Sequence, residues 1–268
     1  MTPMEQLKAM VAGKKVAFIG AGVSHKPCIT MLAALGADIT LCDQKKSLDD
    51  FGDYADTLRK LNVKLSLGEH YTDGFAGQDI IMRTPGYEFF KPELQAAKQA
   101  GALVTSEVEL FFELCPCEIV AVTGSDGKTT TTTLIAKMFE AAGRKVFLGG
   151  NIGAALLPQL PDVTPADIAV VELSSFQLIS MRKSPKVAVV TNVTTTRICR
   201  SILMPNATFC FGRSHPAAPY WVMRTISPGA WPLTAKVNSS GSPACTRPTT
   251  VHSCERVMIP SAMPKTVL

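Results

Sequence analysis

Glu118-Ile-Val-Ala-Val-Thr123, followed by Gly124-Ser-Asp-Gly-Lys-Thr-Thr130, is an apolar run that enters a glycine-rich turn and leaves it as a helical pattern reaching Ala142. A short apolar run bounded by glycine reads as a buried strand, and Gly143 closes the helix that follows. Gly124 and Gly127 allow backbone N–H groups to converge on phosphate oxygens. Lys128 supplies a cation for β- and γ-phosphates, and the Thr129 hydroxyl can ligate Mg²⁺. Val122 stands five positions before Gly127, so the spacing departs from the common phosphate-loop form. A glycine turn with a solvated lysine is the alternative, and the strand–turn–helix context ranks it second.

Upstream, Lys14–Gly20 reads as a buried strand and is followed by Ala21-Gly-Val-Ser24 and an apolar helical stretch to Leu35, with Ser24 as N-cap and Pro27 early in the helix. Gly36 ends that helix, and Asp38–Asp43 is a second strand closing on an acid, completing a βαβ unit. A helix near Leu48–Leu61, strands at Val63–Leu67 and Asp79–Arg83, a helix at Lys91–Ala100 and a helical Ser106–Phe112 follow. Beyond the phosphate loop, strands are expected at Lys145–Leu148, Ile168–Leu173 and Val187–Asn192, where the regular pattern stops. The alternation predicts an α/β fold: a Rossmann-like parallel-sheet domain over 1–115, an incomplete phosphate-loop α/β domain over 116–194, and an irregular tail over 195–268. Gly20-x-Gly22-x-x-His25 lacks the third glycine of a dinucleotide fingerprint, which argues against ordinary NAD binding. On this motif alone, a phosphate-binding turn and a tight turn without a ligand stand level.

No apolar run reaches the roughly 18–20 residues of a membrane span, and the N-terminus has no long apolar stretch of signal-peptide type. A cytoplasmic chain is expected, with no membrane or nucleic-acid partner. The formal net charge of +5 belongs to the tail: residues 1–194 hold 19 Lys and Arg against 21 acids, whereas residues 195–268 hold 8 against Glu255 alone. Eight irregularly spaced cysteines read as reduced thiols, and Cys115-Pro-Cys117 is too tight for a zinc pair without a second pair. Cys28, Cys42 and the Cys115/Cys117 pair are expected to pack, and His70 to lie on a surface loop.

The loop Thr123–Thr129 resembles the ATP loop of the Mur ligase family. Gly149-Gly-Asn-Ile-Gly153 and Glu172-Leu-Ser-Ser-Phe-Gln-Leu178 resemble the family's D-glutamate-adding branch, as do Thr84-Pro-Gly86 and Ser106–Phe111. The resemblance spans about residues 14–194. It implies ATP held by Gly124, Ser125, Asp126, Gly127, Lys128, Thr129 and Thr130, with Mg²⁺ on Thr129 and Glu172. Lys128 and Glu172 become the catalytic pair. Gly20, Gly22, Val23 and Ser24 would receive the UDP part of the substrate, with Asp43 near the uracil and Asn151 on the UDP-sugar. The implied activity is ligation of D-glutamate to UDP-N-acetylmuramoyl-L-alanine through an acyl phosphate, by a monomer in peptidoglycan precursor synthesis. A nucleotide- or UDP-sugar-binding module without ligase activity is the alternative.

After Asn192-Val-Thr194 the family's continuation, with its histidine, lysine and third domain, does not follow. Back-translating Thr195–Thr208 one base out of frame permits a stretch resembling that continuation, lysine included, and Tyr220–Thr225 permits a resemblance to the next strand. A frameshift near Thr194 is therefore expected, leaving an unpacked tail, a central sheet without its last strands and an inactive chain. The rival is a genuine disordered basic tail rich in proline.

Overall fold

A computed structural model describes residues 1–191, 208–209 and 221–226. The chain opens on α1 (Pro3–Val11), whose Thr2 hydroxyl accepts from the Glu5 N–H while the Glu5 carboxylate accepts from the Thr2 N–H. That reciprocal cap starts the helix, and its Leu7 and Val11 are fully buried. Then come β1 (Lys15–Ile19), α2 (His25–Ala34), β2 (Asp38–Asp43), α3 (Tyr54–Lys60), β3 (Lys64–Leu67), β4 (Ile80–Met82), α4 (Pro92–Gln99), β5 (Leu103–Thr105) and α5 (Glu107–Leu114). The second half holds β6 (Glu118–Thr123), α6 (Lys128–Ala141), β7 (Val146–Gly150), β8 (Ile168–Glu172), α7 (Ser175–Leu178) and β9 (Val187–Val190). Two further strands, β10 (Thr208–Phe209) and β11 (Trp221–Ile226), complete the described elements.

The first sheet runs β3-β2-β1-β4-β5 and is parallel throughout. The chain leaves β1 toward β2 and returns to β4 on the other side, so the crevice beyond the carboxyl ends of β1 and β4 is a topological switch point, where open α/β sheets bind ligands. The second sheet runs β10-β11-β9-β6-β8-β7; β6 lies between β8 and β9, and its parallel partners set Val122 opposite Glu172. Both sheets belong to one compact unit, Met1–Pro228.

A single large apolar cluster joins them. It combines Phe18, Ile29 and Leu32 from the first half with Phe147, Leu156, Leu157 and Val171 from the second. Helix α5 sits within it: Val108, Leu110, Phe111, Phe112 and Leu114 are all buried. Glu107 and Glu109 are buried with them, and Glu113 alone of the helix is exposed, so α5 is enclosed on nearly every side.

Three expectations need correction. The helix expected over Leu48–Leu61 is two pieces, a 3₁₀ turn at Leu48–Phe51 and α3, because Gly52 takes φ 56° and ψ −135° between them. Ser24 occupies the N-cap position of α2 but caps nothing with its side chain: its own backbone is helical, and the first helical bonds run from His25 and Lys26 N–H to the Gly22 carbonyl. The tail also contributes strands, since β11 pairs antiparallel with β9 and β10 with β11. Trp221-Val-Met-Arg-Thr-Ile226 is β-branched and aromatic in composition, which favours pairing along an open strand edge. Of the stretches read out of frame, Thr195–Ala207 and Tyr220 lie outside the described residues, while Thr208 and Trp221–Thr225 fall in β10 and β11.

Candidate nucleotide and substrate site

β6 delivers Thr123 to the sheet's carboxyl edge, and the chain turns through Gly124–Gly127 into α6. Gly127 takes φ 76°, in the left-handed region that favours glycine, and so the loop can close directly onto the helix start. Lys128 Nζ donates to the carbonyls of Gly124 and Ser125, both at 3.0 Å, which arches the side chain over the loop. An ammonium has three N–H donors; two brace the loop among the described residues, and the third suits an anion. Thr191, at the end of β9, donates its hydroxyl to the Asp126 carbonyl at 2.5 Å, with the Thr123 carbonyl at 3.3 Å. Thr191 thus pins the loop from below, a role no local pattern announces.

Glu172 ends β8 beside this loop and is 1% exposed. Its Oε2 accepts from the Thr129 hydroxyl at 2.8 Å and its Oε1 from the Asn151 side-chain amide at 2.9 Å. Glu172 is therefore no capping acid for the next helix: Ser174 caps α7, accepting from the Gln177 N–H. Asn151 is held as well by its backbone N–H, which donates to the Glu172 carbonyl at 2.8 Å. That approach explains Gly150, and the packing of Leu156 and the Ala154 carbonyl, 2.6 and 2.7 Å from where a Cβ on Gly149 would stand, explains Gly149. A Cβ on Gly150, whose φ is 98°, would sit 2.2 Å from the Glu172 carbonyl oxygen.

Thr129 Oγ1 and Glu172 Oε2 are hard oxygen donors 2.8 Å apart. Neighbouring ligands on an octahedral Mg²⁺, with metal–oxygen distances of 2.0–2.1 Å, lie about 3 Å apart. Two protein oxygens, with phosphate and water completing the shell, is the usual way Mg²⁺ is held. The residues fit the ion. Among the described residues, no group of three or more His, Cys, Asp or Glu side chains could hold a metal on its own.

The second crevice lies beyond β1 and β4. A cleft of about 250 Å³ is lined by Gly22, Val23 and Ser24 from the first turn, by Arg83, Thr84 and Pro85 after β4, and by Asn151 from the second half. The turn and Asn151, expected to share one substrate, thus face the same cavity. Gly20 and Asp43 stand behind it: Asp43 Oδ2 accepts from the Ala21 N–H at 3.3 Å and so supports the turn's backbone, while Oδ1 accepts from the Lys45 N–H at 3.0 Å in the segment after β2. Thr130 lies on the first turn of α6, half a turn from Lys128.

His25, which occupies the place of the third glycine, is 2% exposed, packs edge-on against Phe18, and sets Nδ1 2.8 Å from the Gly20 carbonyl. Burial lowers its pKa, partly offset by its backbone hydrogen bonds, so it serves as a neutral brace for the turn. Glu107 also lines the cleft. Its Oε1 accepts from the N–H groups of Leu156 and Leu157, the latter at 2.7 Å. Burial pushes its pKa up to about 7 despite those two bonds, which pull it down.

Arg83, Glu109 and Ser180 form a buried polar chain that sequence reasoning did not find. The Arg83 guanidinium donates to the Thr84 and Tyr87 carbonyls from Nη1, and to the Phe176 carbonyl and the Ser180 hydroxyl from Nη2, at 2.9–3.3 Å. Ser180 donates on to Glu109 Oε1 at 2.6 Å.

Residues 14–106 match the Mur ligase MurD-like N-terminal domain, and residues 122–198 match the Mur ligase middle domain. The chain belongs to the Mur ligase family. The second match runs four residues past Thr194, where the resemblance in sequence was expected to stop. A UDP-N-acetylmuramoylalanine–D-glutamate ligase of Acetivibrio thermocellus is 52% identical over 198 residues, covering 72% of this chain and 41% of the relative. A ligase of the same name from Ruminiclostridium cellulolyticum is 48% identical over 190 residues, covering 71% and 41%. This Mur ligase chain therefore spans about two fifths of the length of the curated relatives it matches. Among solved structures, the UDP-N-acetylmuramate-alanine ligase of Thermotoga maritima aligns with a TM-score of 0.41 at 21% identity, over 71% of this chain and 44% of that one. Among the described residues, no helix is long and apolar enough to cross a membrane.

Proposed function

We propose that this chain carries the substrate- and nucleotide-binding parts of an ATP-dependent ligase. The reaction joins D-glutamate to UDP-N-acetylmuramoyl-L-alanine in cytoplasmic peptidoglycan precursor synthesis. One observation carries the reading: Thr129 from the loop and Asn151 from the glycine motif converge on a single buried carboxylate, Glu172, at 2.8 and 2.9 Å. Asn151 at the same time lines the cleft that holds Gly22–Ser24. Nucleotide and sugar substrate are thereby brought to opposite sides of one side-chain cluster. The names of the relatives support the choice of substrates.

In this reading the Gly124–Gly127 N–H groups and Lys128 hold the triphosphate, while Thr129 and Glu172 hold Mg²⁺. When bound, the ion neutralises charge on the phosphate oxygens. The substrate carboxylate forms a bond to the γ-phosphorus as the β–γ bridging oxygen leaves with ADP; the amine of D-glutamate then displaces phosphate from the acyl phosphate. Asn151 orients the substrate next to Glu172, and the turn at Gly20–Ser24, braced by Asp43 and His25, cradles its diphosphate.

A thermal-shift titration separates this from a dinucleotide site. UDP-N-acetylmuramoyl-L-alanine should raise the melting temperature, by the equivalent of about 2.7 kcal/mol at a hundredfold excess over its Kd, and NAD should leave it unchanged. Stabilisation by NAD without stabilisation by the UDP-sugar would reverse the assignment.

A further inference from the structure

The thiols of Cys115 and Cys117 take no part in the nucleotide or substrate site, yet they face each other at the join between the two sheets. We infer that Cys115 and Cys117 form a dithiol–disulfide site that exchanges with small-molecule disulfides. Cys115 follows the last residue of α5 and Cys117 precedes β6, with Pro116 alone between them. Their sulfurs are 3.4 Å apart, and Cys115 Sγ also lies 3.7 Å from the Cys117 carbonyl. Closing to a disulfide requires the sulfurs to approach by about 1.4 Å, to roughly 2.0 Å. Pro116 fixes its own φ, so the connection is short and stiff and the two thiols stay on one side.

The two sulfurs are unequal in the way exchange requires. Cys117 is buried to 8% exposure, whereas Cys115 is more open to solvent. The hydrogen bond from Cys117 lowers the Cys115 pKa, with Lys183 adding a favourable charge, so the more accessible sulfur is the better thiolate. The same hydrogen bond is the leading cause that raises Cys117, ahead of burial. Once Cys115 is tied up in a mixed disulfide, it carries no negative charge, and that cause is removed.

The chemistry balances with oxidised glutathione as the partner. The Cys115 thiolate attacks one glutathione sulfur, forming a mixed disulfide and releasing one glutathione thiolate. Cys117 loses its proton to solvent and attacks Cys115 Sγ, forming the internal disulfide and releasing the second glutathione thiolate. Two protein thiols are oxidised and one small disulfide is reduced.

The test uses the full chain, equilibrated in buffers of graded oxidised-to-reduced glutathione ratio, quenched in acid, alkylated unfolded and digested with trypsin. The peptide 99–128 contains Cys115 and Cys117 and no other cysteine. The expected result is loss of both alkylatable thiols from that peptide, with a mass two hydrogens below the reduced form, reversed by dithiothreitol. Cys28 and Cys42, fully buried, should stay alkylatable throughout. Cys117→Ser should retain a glutathione adduct on Cys115 that the native chain resolves. Alkylation of both thiols at every ratio would overturn the inference. So would cross-linking of this peptide to another cysteine peptide, or a Cys117→Ser chain that takes up no adduct.

Discussion

Glu107 shows how much a single buried side chain can bind to pH in this molecule. Its carboxyl is enclosed, accepts two backbone N–H groups, and is nonetheless pushed up to about 7 by burial from an ordinary 4.5. Because the folded state holds this proton more tightly than the unfolded chain does, the contribution to stability is full below pH 4.5. It is lost as pH rises through 7, about 3 kcal/mol in all. His25 acts in the opposite sense: burial lowers its pKa, so its contribution is lost as pH falls below 6.5. Comparing Glu107→Gln with the native chain cancels His25, since glutamine keeps an oxygen for Leu156 and Leu157 but cannot ionise. In urea unfolding, the variant should gain about 3 kcal/mol on the native chain between pH 4.5 and 7.5. A difference that does not move with pH would show that Glu107 titrates normally.

At the scale of elements, α5 and the segment after β4 couple the two sheets, and Arg83 is the strap. Its guanidinium spans carbonyls on its own loop and the Phe176 carbonyl and Ser180 hydroxyl beyond β8. Arg83→Met would leave buried acceptors without donors, a loss of roughly 3 kcal/mol in urea unfolding. Arg83→Lys should recover less than half, since one ammonium cannot reproduce a planar fork. A loss below about 1 kcal/mol in Arg83→Met would mean that water satisfies those groups as well.

The same elements separate what sequence could carry from what it could not. β1, β2, β6 and β8 were legible because apolar runs ending on glycine or an acid depend on local pattern. The loop was legible because phosphate chemistry restricts residue type and spacing, whereas Glu172 was singled out only by the family resemblance of its segment. Arg83 was not, because an arginine at a strand end looks solvated until the partner segment, nearly a hundred residues away, is placed against it. Gly150 was legible as part of a motif, but its cause is the Glu172 carbonyl 2.2 Å from where a Cβ would stand. The helix expected over Leu48–Leu61 failed at Gly52, whose φ of 56° interrupts an otherwise helical pattern. α1 escaped notice although Thr2 and Glu5 carry the spacing of a reciprocal cap.

Across the described residues, one wholly parallel sheet and one parallel from β9 to β7 each open a crevice at the carboxyl ends of those strands, and Asn151 and Glu172 stand where the two meet. The Mur ligase matches cover both crevices, at 14–106 and 122–198. If the crevice at the loop between β6 and α6 holds Mg·ATP through Lys128, calorimetric titration of the full chain with Mg·ATP shows it most directly. Native protein should bind, and Lys128→Ala should bind at least tenfold more weakly, a loss of about 1.4 kcal/mol or more, with a cooperative urea transition retained to show that the variant still folds. Equal affinity in the two folded proteins, or no binding by the native chain, would contradict the assignment.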